Sequence, residues 1–257
     1  MAALFAGFNA PMPCLALPDQ IADQGTFRVI HKKDHRVLCH STWKVEQDGP
    51  ESVFLESGEG TCHGYSTPVT WESETRSLAA NPRLLHYTVR RIAAPDRGAV
   101  VKTTWRTLNS ATGVLTARIE EVQDQPLPPR ERTWPNMKEV ATPSSLLFVI
   151  RQSLVDGKTS GSIPMVTSEP NLYNIRWVKR GTERVTVPAG TYECVKLELL
   201  VDLKLLGWLR PLLPKLYLWY TARPPHHWIR YEGLEDGIKS AKVLIERTSP
   251  PPQPASE

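Results

Sequence analysis

The sequence predicts a mainly β protein, a large curved antiparallel sheet or incompletely closed β-barrel with one short helix packed on it. Three observations predict it. Val195, Leu197, Leu199, Val201, Leu203 and Leu205 alternate with Lys196, Glu198, Asp202 and Lys204, the period of a half-buried strand. The period changes to helical over Thr142–Gly157. Elsewhere short strand-like runs end regularly in Gly, Pro or Asn with no βαβ alternation, which excludes a doubly wound nucleotide fold.

In chain order, Thr26–Ile30 and Arg36–Val45 bracket the polar turn His31-Lys32-Lys33-Asp34-His35. Ser52–Leu55 and then His63–Tyr65 continue a meander, followed by Trp71–Thr75, Leu84–Ile92, Ala99–Leu108 and Val114–Val122. The Pro-rich Gln125–Arg130 divides two halves of one sheet, since neither half alone reads as a complete core. Thr142 followed by Pro143 is an N-cap with proline in the first turn. Leu146, Leu147, Val149, Ile150 and Leu154 recur at helical spacing, and Gly157 stops the helix. Asn171–Lys179 sets Tyr173, Ile175 and Trp177 against Leu172, Asn174, Arg176 and Val178, and Val187-Pro188-Ala189-Gly190 is a tight hairpin. At about 3.3 Å per residue, a following strand of about eleven residues spans ~36 Å and suits a curved sheet better than a compact sandwich.

Several of these motifs together carry a resemblance. They are Ser144-Ser145-Leu146-Leu147-Phe148-Val149-Ile150-Arg151, Asp156-Gly157-Lys158, Val187 to Lys196, Leu216-Tyr217-Leu218-Trp219-Tyr220, and Trp228-Ile229-Arg230. As a set they resemble the bacterial envelope family known as domain of unknown function 3108. The match covers the C-terminal half by motif and the N-terminal half by architecture alone. That family often has Asp near the helix start where this chain has Thr142, and both residues cap. The family is similar in fold to the lipoprotein carriers of the Lol pathway. The resemblance implies a half-open barrel holding a helix against a hydrophobic concave face, and no settled activity.

At 257 residues the chain is long enough for one large β domain. We read residues 1–16 as a possible, truncated signal segment, 17–248 as that domain and 249–257 as a disordered Pro-rich tail. Met1–Ala16 is apolar, with cleavage after Ala16 expected, but it has no basic n-region. With a signal the protein belongs in the periplasm or cell envelope; without one it is cytoplasmic. A net charge of +4, interspersed rather than clustered, gives no nucleic-acid footprint and leaves peripheral contact with an anionic membrane open. Cys39 and Cys62 flank the Gln47–Pro50 turn at nearly equal distance; they are either a disulfide across a hairpin or two buried thiols. Leu205–Pro214 is too apolar for an ordinary loop, so Trp208, Leu209, Leu212 and Leu213 form either a fold-over onto the core or a lip for a membrane or partner.

No nucleophile elbow, phosphate loop or zinc-protease motif is present. His31, His35, His40 and His63 fit no metal-ligand spacing, so neither a metal nor a cofactor is expected. Glu120, Glu121, Glu183 and Glu193 read as outward-facing. The first functional reading is a non-enzymatic envelope protein that binds a lipid or other apolar molecule, or acts as an assembly factor for an envelope partner. Its wall would be Trp177, Val195, Leu197, Leu199, Val201, Leu203 and Trp219, with the Leu146 and Ile150 helix face as plug or lid. The alternative is an enzyme on a lipocalin-like barrel, with Arg151, His86 or Arg230 inside the mouth.

Overall fold

Short polar turns reverse the chain at regular intervals, and each reversal lays the next strand antiparallel on the last. The computed structural model describes residues 23–62, 64–94, 99–122, 127–202, 215–235 and 240–252. The first half is a meander of β1 (Gln24–His31), β2 (Val37–Asp48), β3 (Glu51–Gly60), β4 (Val69–Leu78), β5 (Asn81–Ala94), β6 (Ala99–Asn109), β7 (Val114–Glu121) and β8 (Arg130–Trp134). Helix α1 (Pro143–Val155) follows, and then β9 (Ser160–Val166), β10 (Leu172–Val187), β11 (Gly190–Asp202), β12 (Leu216–Thr221), β13 (Trp228–Leu234) and β14 (Lys242–Arg247). Gly49 and Gly113 occupy their turns at φ 58° and 65°, where a side chain would be strained.

Among the described residues all 14 strands form one sheet, in the order β8-β7-β6-β5-β4-β3-β2-β1-β14-β13-β12-β11-β10-β9. The first and last strands therefore lie side by side in the middle. The two edges, β8 and β9, are the strands on either side of α1 in sequence, so the connection between them must cross the concave face and carries the helix over it. The sheet curls without closing into a barrel. Where its edges approach, Ala141 bridges to Met165, and Val166 packs with Leu108, Leu115 and Ala117. A clasp of basic side chains completes the seam. Arg106 donates to the carbonyls of Thr167 (2.7 Å) and Ser168 (2.8 Å), Arg132 donates to that of Pro170 (3.0 Å), and Arg130 pairs with Glu169 at 2.8 Å.

Helix α1 begins where the sequence places it. The Thr142 hydroxyl accepts from the Ser145 N–H, and the Ser145 hydroxyl accepts from the Thr142 N–H, a reciprocal capping box. Gly157, at φ 74°, follows its last turn. The structure differs from expectation in several places, and it adds β8, β9 and β14, which the sequence reading does not name. Of the strand expected over His63–Tyr65, the described part, residues 64–65, is a turn in which the Tyr65 N–H reaches the Cys62 carbonyl, and His63 lies outside the described residues. The strand expected over Asn171–Lys179 continues to Val187, because a bulge at Lys179/Gly181 lets β10 bend without breaking its ladder to β11. Ser249, assigned to the tail, is tied in by the Thr26 N–H and by Arg247. The signal segment and the Trp208, Leu209, Leu212 and Leu213 lip lie outside the described residues.

Cys39 and Cys62 are joined, with their Cα atoms 6.2 Å apart. The bond pins the β3–β4 connection against a core of Val29, Val69, Trp71, Ile92 and Val243 at one end of the concave face. For a sequence separation of 23 residues, loop-closure entropy predicts about 3 kcal/mol of stabilisation. Urea unfolding with and without reductant should show that difference, and a change under about 1 kcal/mol would mean the loop is held by packing alone.

Candidate functional site

The ladder pairings decide which side chains face inward, and they split the concave face into two chemically different halves. From β9 round to β3 it is mainly apolar, with Arg247 and Glu56 as exceptions. From β4 to β8 hydroxylated and charged side chains mix with the apolar Trp71, Ile92, Leu115 and Ala117.

On the apolar half, Leu146 and Ile150 from α1 and Trp177, Val195, Leu197 and Leu199 from β10 and β11 belong to one buried cluster, with Val201 packed against it. The helix and the wall thus meet as the alternation in β11 predicts, but they meet each other. None of the six is more than 8% exposed, so the expected wall is filled by α1 rather than open to a ligand. Leu203 lies outside the described residues. Trp219 is a correction: Lys196 pairs with Trp219 and Val195 with Tyr220, so Trp219 shares the convex face of Lys196. Its indole N–H donates to Glu183 (2.7 Å), and the Lys196 ammonium stands 5.1 Å from its ring. Leu218 and Tyr220 take its place in the wall. Both faces of Leu216–Tyr220 are apolar or aromatic, so no polar side in the sequence says which points in.

An aromatic group missing from the sequence-based wall continues it across the middle strands. Phe27 stacks on Trp228 at 4.2 Å, while Trp43, Phe54 and the α1 residue Phe148 follow, with Phe54 4.9 Å from Phe148. Phe27, Trp43 and Phe54 stand at inward positions of their strands, so period two alone would have found them.

The C-terminal turns of α1 end on a buried ionic cluster. The Arg151 guanidinium donates to Asp23 Oδ2 (2.9 Å) and to the Pro225 carbonyl (2.8 Å), and His227 Nδ1 lies 3.0 Å from the same Oδ2. Arg247, completely buried, approaches Asp23 Oδ1 to 3.8 Å without hydrogen bonding it, leaving that oxygen without a hydrogen-bond partner. Arg247 also holds the carbonyls of Gln24, Trp228 and Ser249. Gly25 makes room for it, since a Cβ there would sit 2.9 Å from its guanidinium carbon. Burial pushes the pKa values of Arg151 and Arg247 down, and the Asp23 carboxylate opposes that fall. The cluster ties the start of β1, the end of α1, the β12–β13 turn and the end of β14 together. Arg247 is not among the residues singled out from the sequence; the ladder sets it on the inward face of β14 with Val243 and Ile245, where a lone cation is the anomaly that could have marked it.

As an active site the arrangement is incomplete. Among the described residues the His227 ring bonds to Asp23 and not to a hydroxyl or thiol that it would activate. Arg151 does not meet the other two residues named for an enzymatic mouth. His86 is exposed and pairs with Glu51, while Arg230 sits on the convex face 5.5 Å from the Trp219 ring centre. No group of three or more His, Cys, Asp or Glu among the described residues is placed to hold a metal ion. Cys194 shares the Lys196 side of β11 and is fully buried, and burial pushes its thiol up to about 12.

On the hydroxylated half, Ser73, Thr75, Thr88 and Thr104 face inward with Arg90 and Arg106. Arg90 pairs with Glu56 (2.8 Å), which also accepts from Ser73 and from Ser144 of α1. Lys102 pairs with Glu121 (2.9 Å) and Glu169 (3.3 Å). Glu121 therefore faces inward, not outward as its position in a mixed strand suggested.

No family model matches the chain, and no curated protein matches it. The domain-of-unknown-function-3108 resemblance therefore rests on the residues quoted for it. Among solved structures, a β-barrel-like protein of domain of unknown function 1849 from Brucella abortus aligns over 89% of this chain and 96% of its own, with 6% identity and a TM-score of 0.49. A protein from Bacteroides fragilis described as exported, with a YmcC-like fold, aligns over 92% and 98% at 11% identity and a TM-score of 0.35. One from Parabacteroides distasonis described as a lipoprotein aligns over 90% and 96% at 10% identity and a TM-score of 0.30. At these scores the likenesses carry no argument about activity.

Proposed function

We propose that this chain is a non-catalytic protein of the bacterial envelope, acting as an assembly or scaffold factor rather than as an acyl-chain carrier. One observation carries the choice: α1 fills the apolar wall that a carrier would keep for its ligand. To admit an acyl chain the helix would have to leave, breaking the Tyr220 hydroxyl's bond to the Leu147 carbonyl (3.0 Å) and the Arg151 contacts to Asp23 and Pro225. The joined Cys39 and Cys62 support an oxidising compartment. The apolar composition of Leu205–Pro214 makes it the first stretch to test for a partner.

Native mass spectrometry of protein taken from an envelope fraction, with lipid extraction of the same sample, tests this. The expected result is protein without a stoichiometric acyl species, together with a specific envelope protein recovered by cross-linking and lost in Trp208→Ser. A stoichiometric acyl chain in the wild-type sample would replace this reading with the carrier one.

A further inference from the structure

The hydroxylated half of the concave face holds a cavity of about 40 Å³ between β4–β6, the start of α1 and the β9–β10 turn. Arg90, Lys102 and Arg106 line it with the hydroxyl residues Thr88, Thr104 and Ser144, and no Asp or Glu is among its lining residues. The geometry points to a binding site for a phosphoryl oxyanion, either free phosphate or the phosphate of a lipid headgroup.

Three physical features carry it. First, the polarity is that of an anion site: every titratable group on the wall is a cation, and arginines present forked donors that match tetrahedral oxyanions. Second, basic side chains gather around the cavity. Arg90, Lys102, Arg106, Arg130 and Arg132 all take part in the ion pairs and hydrogen bonds there, with Glu56, Glu121 and Glu169 as acidic partners. Third, the cationic side chains, though not all of their N–H groups, are held in place before any ligand arrives. Arg106 is fixed by Thr104 and two carbonyls, and Arg90 by Glu56, so little side-chain freedom is lost on binding. The capping box already engages the Ser145 N–H of α1, so the attraction comes from the side chains. Size limits the ligand: the space holds on the order of three waters, or one compact oxyanion in their place. An acyl chain does not fit, so a lipid would enter by its headgroup alone. This inference does not depend on the scaffold reading above.

Titration of inorganic phosphate into the full chain, followed by ³¹P NMR, is one arm of the test. Co-sedimentation with phosphatidylcholine vesicles, with and without phosphatidic acid, is the other. Arg90→Gln and Lys102→Gln each remove one wall cation and leave the Arg106 clasp intact, and each should weaken binding roughly tenfold, the effect of one charge-assisted hydrogen bond. Arg118→Gln, on the convex face beside Trp105, should change nothing. Saturable phosphate binding with that pattern supports the site and identifies a free anion as its ligand. Binding confined to phosphatidic acid vesicles, with the same pattern, supports the site and identifies the headgroup. Absence of both in the wild-type protein overturns the inference, whether or not the variants fold. So does binding that both glutamine variants retain unchanged.

Discussion

Asp23→Ala is expected to lower the unfolding free energy by about 3–5 kcal/mol, the cost of leaving buried cations without their counter-charge. Arg151 and Arg247 both face this carboxylate, and Arg247 has no exposed surface through which water could compensate it. Neither guanidinium can discharge by losing its proton near neutral pH. The damage should also be non-local, because Asp23 joins β1 to α1 and to the β12–β13 turn. Urea unfolding followed by tryptophan fluorescence measures it. Asp23→Ala/Arg151→Met should recover part of the loss by removing one of the stranded charges. A loss below about 1 kcal/mol in the single variant would show that water reaches the cluster and that it contributes little to the fold.

Trp177→Ala should cost a similar amount, about 3–5 kcal/mol, by a different mechanism. Its ring is 1% exposed and lies over Gly161 of the edge strand β9, close enough that a Cβ there would meet the indole at 2.8 Å. Removing it empties the space between α1 and the β9–β10–β11 corner, which a pleated sheet on one side and a capped helix on the other are slow to collapse into. The same variant separates the structural role of the wall from a ligand role. If Trp177 supports α1, stability falls and no lipid binding appears. If the unfolding free energy is unchanged, α1 does not rest on this wall and the packing account fails.

The alternation through Val195–Val201, the helical spacing from Leu146 to Leu154 and the Thr142 cap each state a local preference, and local preferences were enough for the helix, the main hairpin, most of the strands and the β class, but not for β8, β9 or β14. Pairing of Cys39 with Cys62 was likewise one of two readings, since the hairpin brings the two near each other, although the ladder sets Cys39 opposite Gly60 and Cys62 lies just past the end of β3. The orientation of Trp219 was not legible: its strand is apolar or aromatic on both faces, and only the ladder to β11 fixes which side is inside. The ionic cluster was equally hidden, since Asp23 and His227 are 204 positions apart and become neighbours only because β1 pairs with β14.

By itself, then, the sequence determined the helix, the main hairpin, most of the strands and the inward face of the long strand, all set by interactions within a few residues or across one turn. Only the tertiary structure decided that the helix occupies the apolar wall, because the strands flanking it in sequence stand at opposite edges of the sheet. Only that same curl of the sheet brings Arg90, Lys102 and Arg106 together with the first turn of α1 around one cavity.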